Sequence, residues 1–311
     1  MHRKLLLLIA VVCISLSSTA QNHPALFSAV EKNDINAVKK LLDDGANPNS
    51  IDEYGDAILM QAAIYSSAEC MKLLLDKGAD ANFKNEQGHT ALSFCAHEPD
   101  KIQLLISKGV DLNVSSKSGN TPLLIAAVGN SNYEAVKLLL DHGADPMVKN
   151  RIKESALVRA ASLAGNEVID LLLAKGNQID SVSENFTPLS IAIGYSNKDV
   201  VMHLLKKGAN PNTRDFYGLP VGLAVVFPDT SVTHLLIQKT ANLNDLDVDG
   251  FTTIAWALYN EHDQPEVIQD LINHGANVNI VFKNGSTPLT WALQKGNTKS
   301  VEVLKKAGAK K

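Results

Sequence analysis

The 311-residue chain carries 29 Lys and Arg against 33 Asp and Glu, a net charge of −4, and is 45% hydrophobic but only 5% aromatic. That balance excludes a disordered tail, a collagen-like fibre and a multi-span membrane protein. It also leaves no basic excess to neutralise phosphates, so nucleic acid is not an expected partner. With so few rings, the core must be built from aliphatic side chains and alanine.

The first twenty residues read as a secretory signal peptide. Arg3 and Lys4 precede an apolar run, Leu5 to Leu16, and Ser17-Ser18-Thr19-Ala20 supplies the small residues of a cleavage site. The run is twelve residues long, too short for the roughly twenty that a membrane-spanning helix needs. Cleavage after Ala20 removes Arg3 and Lys4 and leaves 27 basic against 33 acidic side chains. No membrane span is expected afterwards, and the chain is expected in the periplasm or the medium. Cys70 and Cys95 are then the remaining cysteines. They could form one bridge in an oxidising compartment, or stay as buried inert thiols.

From here the sequence repeats. Leu-Leu followed by Gly-Ala-Asp or a close variant places glycines at 45, 78, 109, 143, 176, 208, 275 and 308, with Thr240 in the one empty slot. The intervals run from 31 to 35 residues. A second marker precedes each glycine by about 21 residues, in full as Thr121-Pro122-Leu123, Thr187-Pro188-Leu189 and Thr287-Pro288-Leu289. In these full markers Thr is placed to cap a first helix and Pro to occupy its first turn. A second helix with apolar residues at i, i+3 and i+4 follows, as at Val136, Leu139 and Leu140, and a C-terminal glycine closes it.

The period and the Thr-Pro-Leu marker resemble the ankyrin repeat. The resemblance implies an all-α repeat solenoid of helix–turn–helix units joined by β-hairpins, with about nine repeats over residues 23–309 of a single domain spanning 21–311. One unit cannot bury both of its faces, so stacking must supply the stability. The family's usual histidine after Thr-Pro-Leu is missing. Ser93, Leu124, Ser190 and Thr290 are among its replacements, and a loss of stability is expected from this. The short third repeat at His97-Glu98-Pro99-Asp100, the seventh with Thr240 for glycine, and the long eighth are expected to be the weakest stacks or sites shaped for a partner.

Searched for chemistry, the sequence offers little. There is no phosphate-binding glycine loop, nucleophile elbow or zinc-protease helix. No enzyme activity, cofactor or metal is expected. Asp245-Leu246-Asp247-Val248-Asp249-Gly250 imitates the start of a calcium loop, but the twelfth position is Trp256 where a bidentate Glu is needed. Trp256 and Trp291 share one repeat slot and are expected to fill the core.

The resemblance implies a protein partner on the concave side, formed by hairpin tips and first-helix ends. Phe186, Phe216, Tyr217 and Phe251 fall at hairpin tips, and Tyr195, Phe227 and Tyr259 at first-helix ends. These seven lie in repeats six to eight, whereas earlier repeats offer only Tyr54 and Tyr65 in such slots. Aromatic anchors of this kind carry binding energy. The expected function is a monomeric, non-catalytic interaction scaffold of the cell envelope. The alternatives are a secreted effector and a toxin-neutralising protein. Exported bacterial ankyrin proteins, which this chain resembles, imply support or restraint of envelope enzymes, including peroxide-detoxifying ones.

Overall fold

A computed structural model describes residues 23–129, 132–184, 186–215, 218–227, 229–260 and 262–311. The expected signal peptide, Phe216 and Tyr217 lie outside these residues. Residues up to 126 together with 134–145 form one compact unit, and 127–133 together with 146–311 form a second.

Among the described residues the chain forms eighteen helices in nine successive pairs, all but one of them at most nine residues long. The first unit holds α1 (Pro24–Glu31), α2 (Ile35–Asp43), α3 (Ile58–Tyr65), α4 (Ala68–Asp76), α5 (Ala91–Phe94), α6 (Pro99–Ser107), α7 (Pro122–Ala126) and nearly all of α8 (Tyr133–Asp141). The second holds α9 (Ala156–Leu163), α10 (Asn166–Ala174), α11 (Pro188–Gly194), α12 (Lys198–Lys206), α13 (Pro220–Ala224), α14 (Thr230–Lys239), α15 (Thr253–Tyr259), α16 (Pro265–Asn273), α17 (Pro288–Lys295) and α18 (Thr298–Lys306). Within each unit a first helix packs on the first helix of the next pair and, in every pair but the fourth, on its own second helix. Helices this short are marginal alone, so their apolar stripes must close against neighbours. Leu26, Ile58, Leu74, Leu105, Leu172, Leu204 and Leu271 are fully buried there.

The helix ends follow from the sequence. Gly143 has φ +100° and its N–H donates to Leu140 O, while Ala144 N–H reaches Leu139 O at 2.9 Å. This left-handed turn satisfies the last carbonyls of α8, and a residue with a Cβ would be strained in it. Where Thr240 replaces glycine, the chain leaves α14 extended and the Thr240 hydroxyl donates to Leu236 O at 2.6 Å. The missing histidines are likewise replaced. Ser93, Ser190 and Thr290 accept from the backbone N–H of Thr90, Thr187 and Thr287 at 3.2, 2.9 and 2.7 Å. Each thereby completes a capping box. The expected loss of stability is therefore offset locally in these three repeats.

The connections contain no strand ladder among the described residues. The expected hairpins are reduced to tight turns, with single antiparallel bridges at Ile51–Ala57, Lys149–Ser155 and Asp215–Gly218. Side chains take over the work of a ladder. Asn49, Asn113, Asn212, Asn244 and Asn279 each donate to a carbonyl at or just past the end of the next second helix (Gly78, Gly143, Lys239, Gly275 and Gly308). Each also accepts from the backbone two residues further on, at 2.6 to 2.8 Å. Such two-way bridges fix one turn to the next.

Candidate functional site

The eighth and ninth repeats bring five rings together. The turn before α15 is organised by Asp247, whose Oδ1 accepts from the N–H groups of Asp249 and Phe251, both at 2.9 Å. Asp247 N–H donates to Phe251 O at 2.8 Å, which closes the turn and presents the Phe251 ring. Gly250 sits in this turn at φ +80°. A Cβ on it would stand 2.7 Å from Lys283 Cβ, so the position requires glycine both for its dihedral and for its clearance. On α15, Trp256 and Tyr259 are three residues apart and share a face. Trp256 Nε1–H donates to Asp247 Oδ2 at 2.5 Å, locking that indole to the turn. In the next repeat Phe282 is buried, and α17 carries Trp291 and Lys295.

The rings form a closed circuit. Phe251 lies 6.0 Å from Trp256, Trp256 5.8 Å from Tyr259, Tyr259 6.3 Å from Trp291, and Trp291 5.0 Å from Phe251. Interplanar angles of 57° to 76° make neighbouring walls steep to one another. Phe282 backs Phe251 and Trp291 edge-on at 5.7 and 5.8 Å. With Ala255, the four walls line a cleft of about 180 Å³. Tyr259 is 50% exposed, Phe251 and both tryptophans are half-buried, and Lys295 Nζ stands 3.9 Å over the Tyr259 ring. The Trp291 indole nitrogen is buried and has no acceptor among the described residues.

The structure thus places Phe251 and Tyr259 together and adds Trp256 and Trp291, which line the cleft where a core position was expected. The other expected anchors lie elsewhere in the second unit. Tyr195, 59% exposed, lines a polar cleft with Ser162, Asn166, Asn197 and Asp199. Phe227 is half-buried against a cavity of about 50 Å³ among Ala192, Ile193, Val201, Ala224 and Val232. Phe186 is half-buried, and its carbonyl accepts from Ser183.

The acidic run 245–249 has structural duties. Asp245 accepts from Asn242 and pairs with Arg214 Nη1 at 3.3 Å, and Asp247 holds the turn and Trp256. Among the described residues no group of three or more His, Cys, Asp or Glu is placed to hold a metal ion. Cys70 and Cys95 are free and buried, so the possible bridge is not formed. Burial pushes both thiols up, Cys95 to about 12.

A model of ankyrin repeats (three copies) matches residues 4–85, 26–114, 59–150, 148–215 and 222–311. The chain belongs to the ankyrin repeat family. No curated protein matches it. Ankyrin repeats are in general protein–protein interaction modules, and the cleft of this ankyrin array is built from one inter-repeat turn and two first helices.

Proposed function

We propose that this ankyrin protein is a non-catalytic scaffold of the cell envelope. It is exported by the segment ending at Ala20 and takes a protein partner on the turn and first-helix side of repeats eight and nine. The observation that carries the reading is the four-ring cleft. A core would close over such rings, whereas here Tyr259 stands half exposed beside three half-buried neighbours. Rigid aromatic side chains lose little entropy on binding and are enriched at the centres of interfaces. Among the described residues no helix is long and apolar enough to cross a membrane.

The test is in-cell crosslinking and affinity capture of the tagged full-length protein from fractionated cells. A Tyr259→Ser variant runs in parallel, because that side chain is exposed and its loss leaves the core intact. The reading expects one dominant envelope protein whose recovery falls at least about tenfold in the variant, as loss of a hot-spot ring implies. Equal recovery in the variant overturns the assigned surface. Recovery of the protein from the medium, with no envelope partner, overturns the envelope role in favour of a secreted effector.

A further inference from the structure

We infer that the four-ring cleft binds the ammonium or guanidinium head of a lysine or arginine side chain supplied by the protein partner. The inference rests on the protein-binding reading above and assigns the chemistry of its anchor.

Size is the first argument. About 180 Å³ falls short of the roughly 300–1,000 Å³ typical of small-molecule sites, and suits a single inserted side chain. Shape is the second. A circuit with sides of 5.0 to 6.3 Å puts a group at its centre within about 6 Å of every ring centroid, the reach of a cation–π attraction. Where a ring turns its face to that point, its negative quadrupole favours positive charge over a neutral alkyl group of the same volume.

The third argument is that the site already handles a cation. Lys295 Nζ rests 3.9 Å from the Tyr259 centroid. Its residue is exposed, and its flexible four-carbon stem can yield the ring to an incoming group. The hydrogen bond of one ring adds to this. The Asp247 carboxylate accepts the Trp256 indole N–H at 2.5 Å, which draws electron density toward that ring. Asp249 is exposed on the same turn. On the other side, Lys283 runs its stem across Gly250 and Lys295 caps Tyr259, so the rim is mixed in charge. The selectivity must therefore come from the ring walls and not from net charge at the rim.

Trp256 and Trp291 are the chain's two tryptophans, so intrinsic fluorescence reads this site directly. The experiment titrates the full-length protein with acetyl-Gly-Lys-Gly-amide, its Arg counterpart, and its norleucine counterpart, which keeps the chain length without the charge. Titrations are run at 0.05 M and 0.5 M NaCl. The expected result is a saturable change with the Lys and Arg peptides, at least about tenfold tighter than with norleucine. It should weaken by no more than about threefold at high salt, since partly buried charge is poorly screened. Equal affinity for norleucine, no saturable change, or loss of the preference at 0.5 M NaCl overturns the inference. The second variant is Tyr259→Leu, which keeps apolar surface and an exposed position. It should lose the preference for Lys over norleucine while still unfolding cooperatively, and a retained preference overturns the assignment to the cleft. If the titration fails while Tyr259→Ser still abolishes partner capture, the protein-binding reading stands without its cation. If the titration succeeds and no partner is captured, the cleft chemistry stands alone.

Discussion

The second and eighth repeats are built on one frame and filled differently. In the second, Asp52 Oδ1 accepts from Tyr54 and Asp56 N–H, and its Oδ2 accepts from Gln61 Nε2 at 2.8 Å. In the eighth, Asp247 makes the same three bonds, to Asp249, Phe251 and Trp256. Gln61 and Trp256 both stand nine residues after the aspartate. Onward to the next repeat, Asp56 Oδ1 accepts from Asn85 Nδ2 at 2.6 Å. In the later pair the corresponding residues are Phe251 and Phe282, in ring contact at 5.7 Å. Phe94, whose ring lies tilted 5.5 Å from that of His89, stands where the later pair has Trp291. The comparison teaches that the backbone frame is carried by the aspartate, and that exchanging polar ties for rings on this unchanged frame creates a cleft. Tyr54, 78% exposed on the same turn of the earlier repeat, has no ring beside it among the described residues.

The largest expected effect breaks the ring circuit. Phe251→Ser removes edge contacts with Phe282, Trp256 and Trp291 and should cost about 2–3 kcal/mol. Asp56→Ala at the matching position should cost only about 1 kcal/mol. Urea unfolding followed by tryptophan fluorescence measures the first, and circular dichroism the second. Equal costs would mean that the rings add nothing to the polar tie. A smaller effect isolates the shared bond to the aspartate. Trp256→Phe keeps a ring but loses the indole donor, and Gln61→Leu loses the matching amide. Each should cost about 1–2 kcal/mol, because the acceptor is charged.

The asparagine bridges are common to both regions, so Asn49→Ala and Asn244→Ala should each cost about 1 kcal/mol and agree within about 0.5 kcal/mol. Divergence would show that the two frames differ after all. The smallest effect belongs to the outer helices of the first unit. Hydrogen bonds from Lys77 and Lys39 hold the Asp43 carboxyl below its ordinary value, and those from Lys72 and Lys108 do the same for Asp76. A lowered folded pKa means that these pairs stabilise the protein above the unfolded carboxylate range, near pH 4. That contribution is lost as pH falls through the folded values. Carboxyl NMR titration should find both groups ionising below the ordinary range, and the shifts should shrink in high salt because both are surface pairs.

How much of this could be read from the sequence follows the same division between frame and filling. The helix pairs, the Thr-Pro starts and the glycine stops are local, and local patterns expose them. The loop-closing positions were equally regular: Asp52, Asn85, Ser116, Asn150, Ser183, Asp215 and Asp247 each stand seven residues after the glycine slot. Read on its own, Asp247 belonged to a calcium look-alike, and only its place in the series reveals its role. The hydroxyl replacements at Ser190 and Thr290 were visible, but the bonds they make depend on a cap geometry that the residue type alone does not specify. The cleft was half legible. Phe251 and Tyr259 were singled out as exposed slots, whereas Trp256 and Trp291 were assigned to the core because size and apolarity favour burial. Their exposure depends on what faces them across the repeat boundary. There a fully buried Phe282 supports the rings from behind, in a slot that is polar in every earlier repeat.

The central claim is that repeats eight and nine, and not the matching turn of repeat two, carry the partner surface. The most direct measurement places a photo-activated benzoyl-phenylalanine at position 259 in one full-length variant and at position 54 in another, and irradiates both in cells. The account predicts a discrete crosslinked protein species from position 259 and none from position 54. A species from position 54 alone, or the same species from both positions at equal yield, would contradict it.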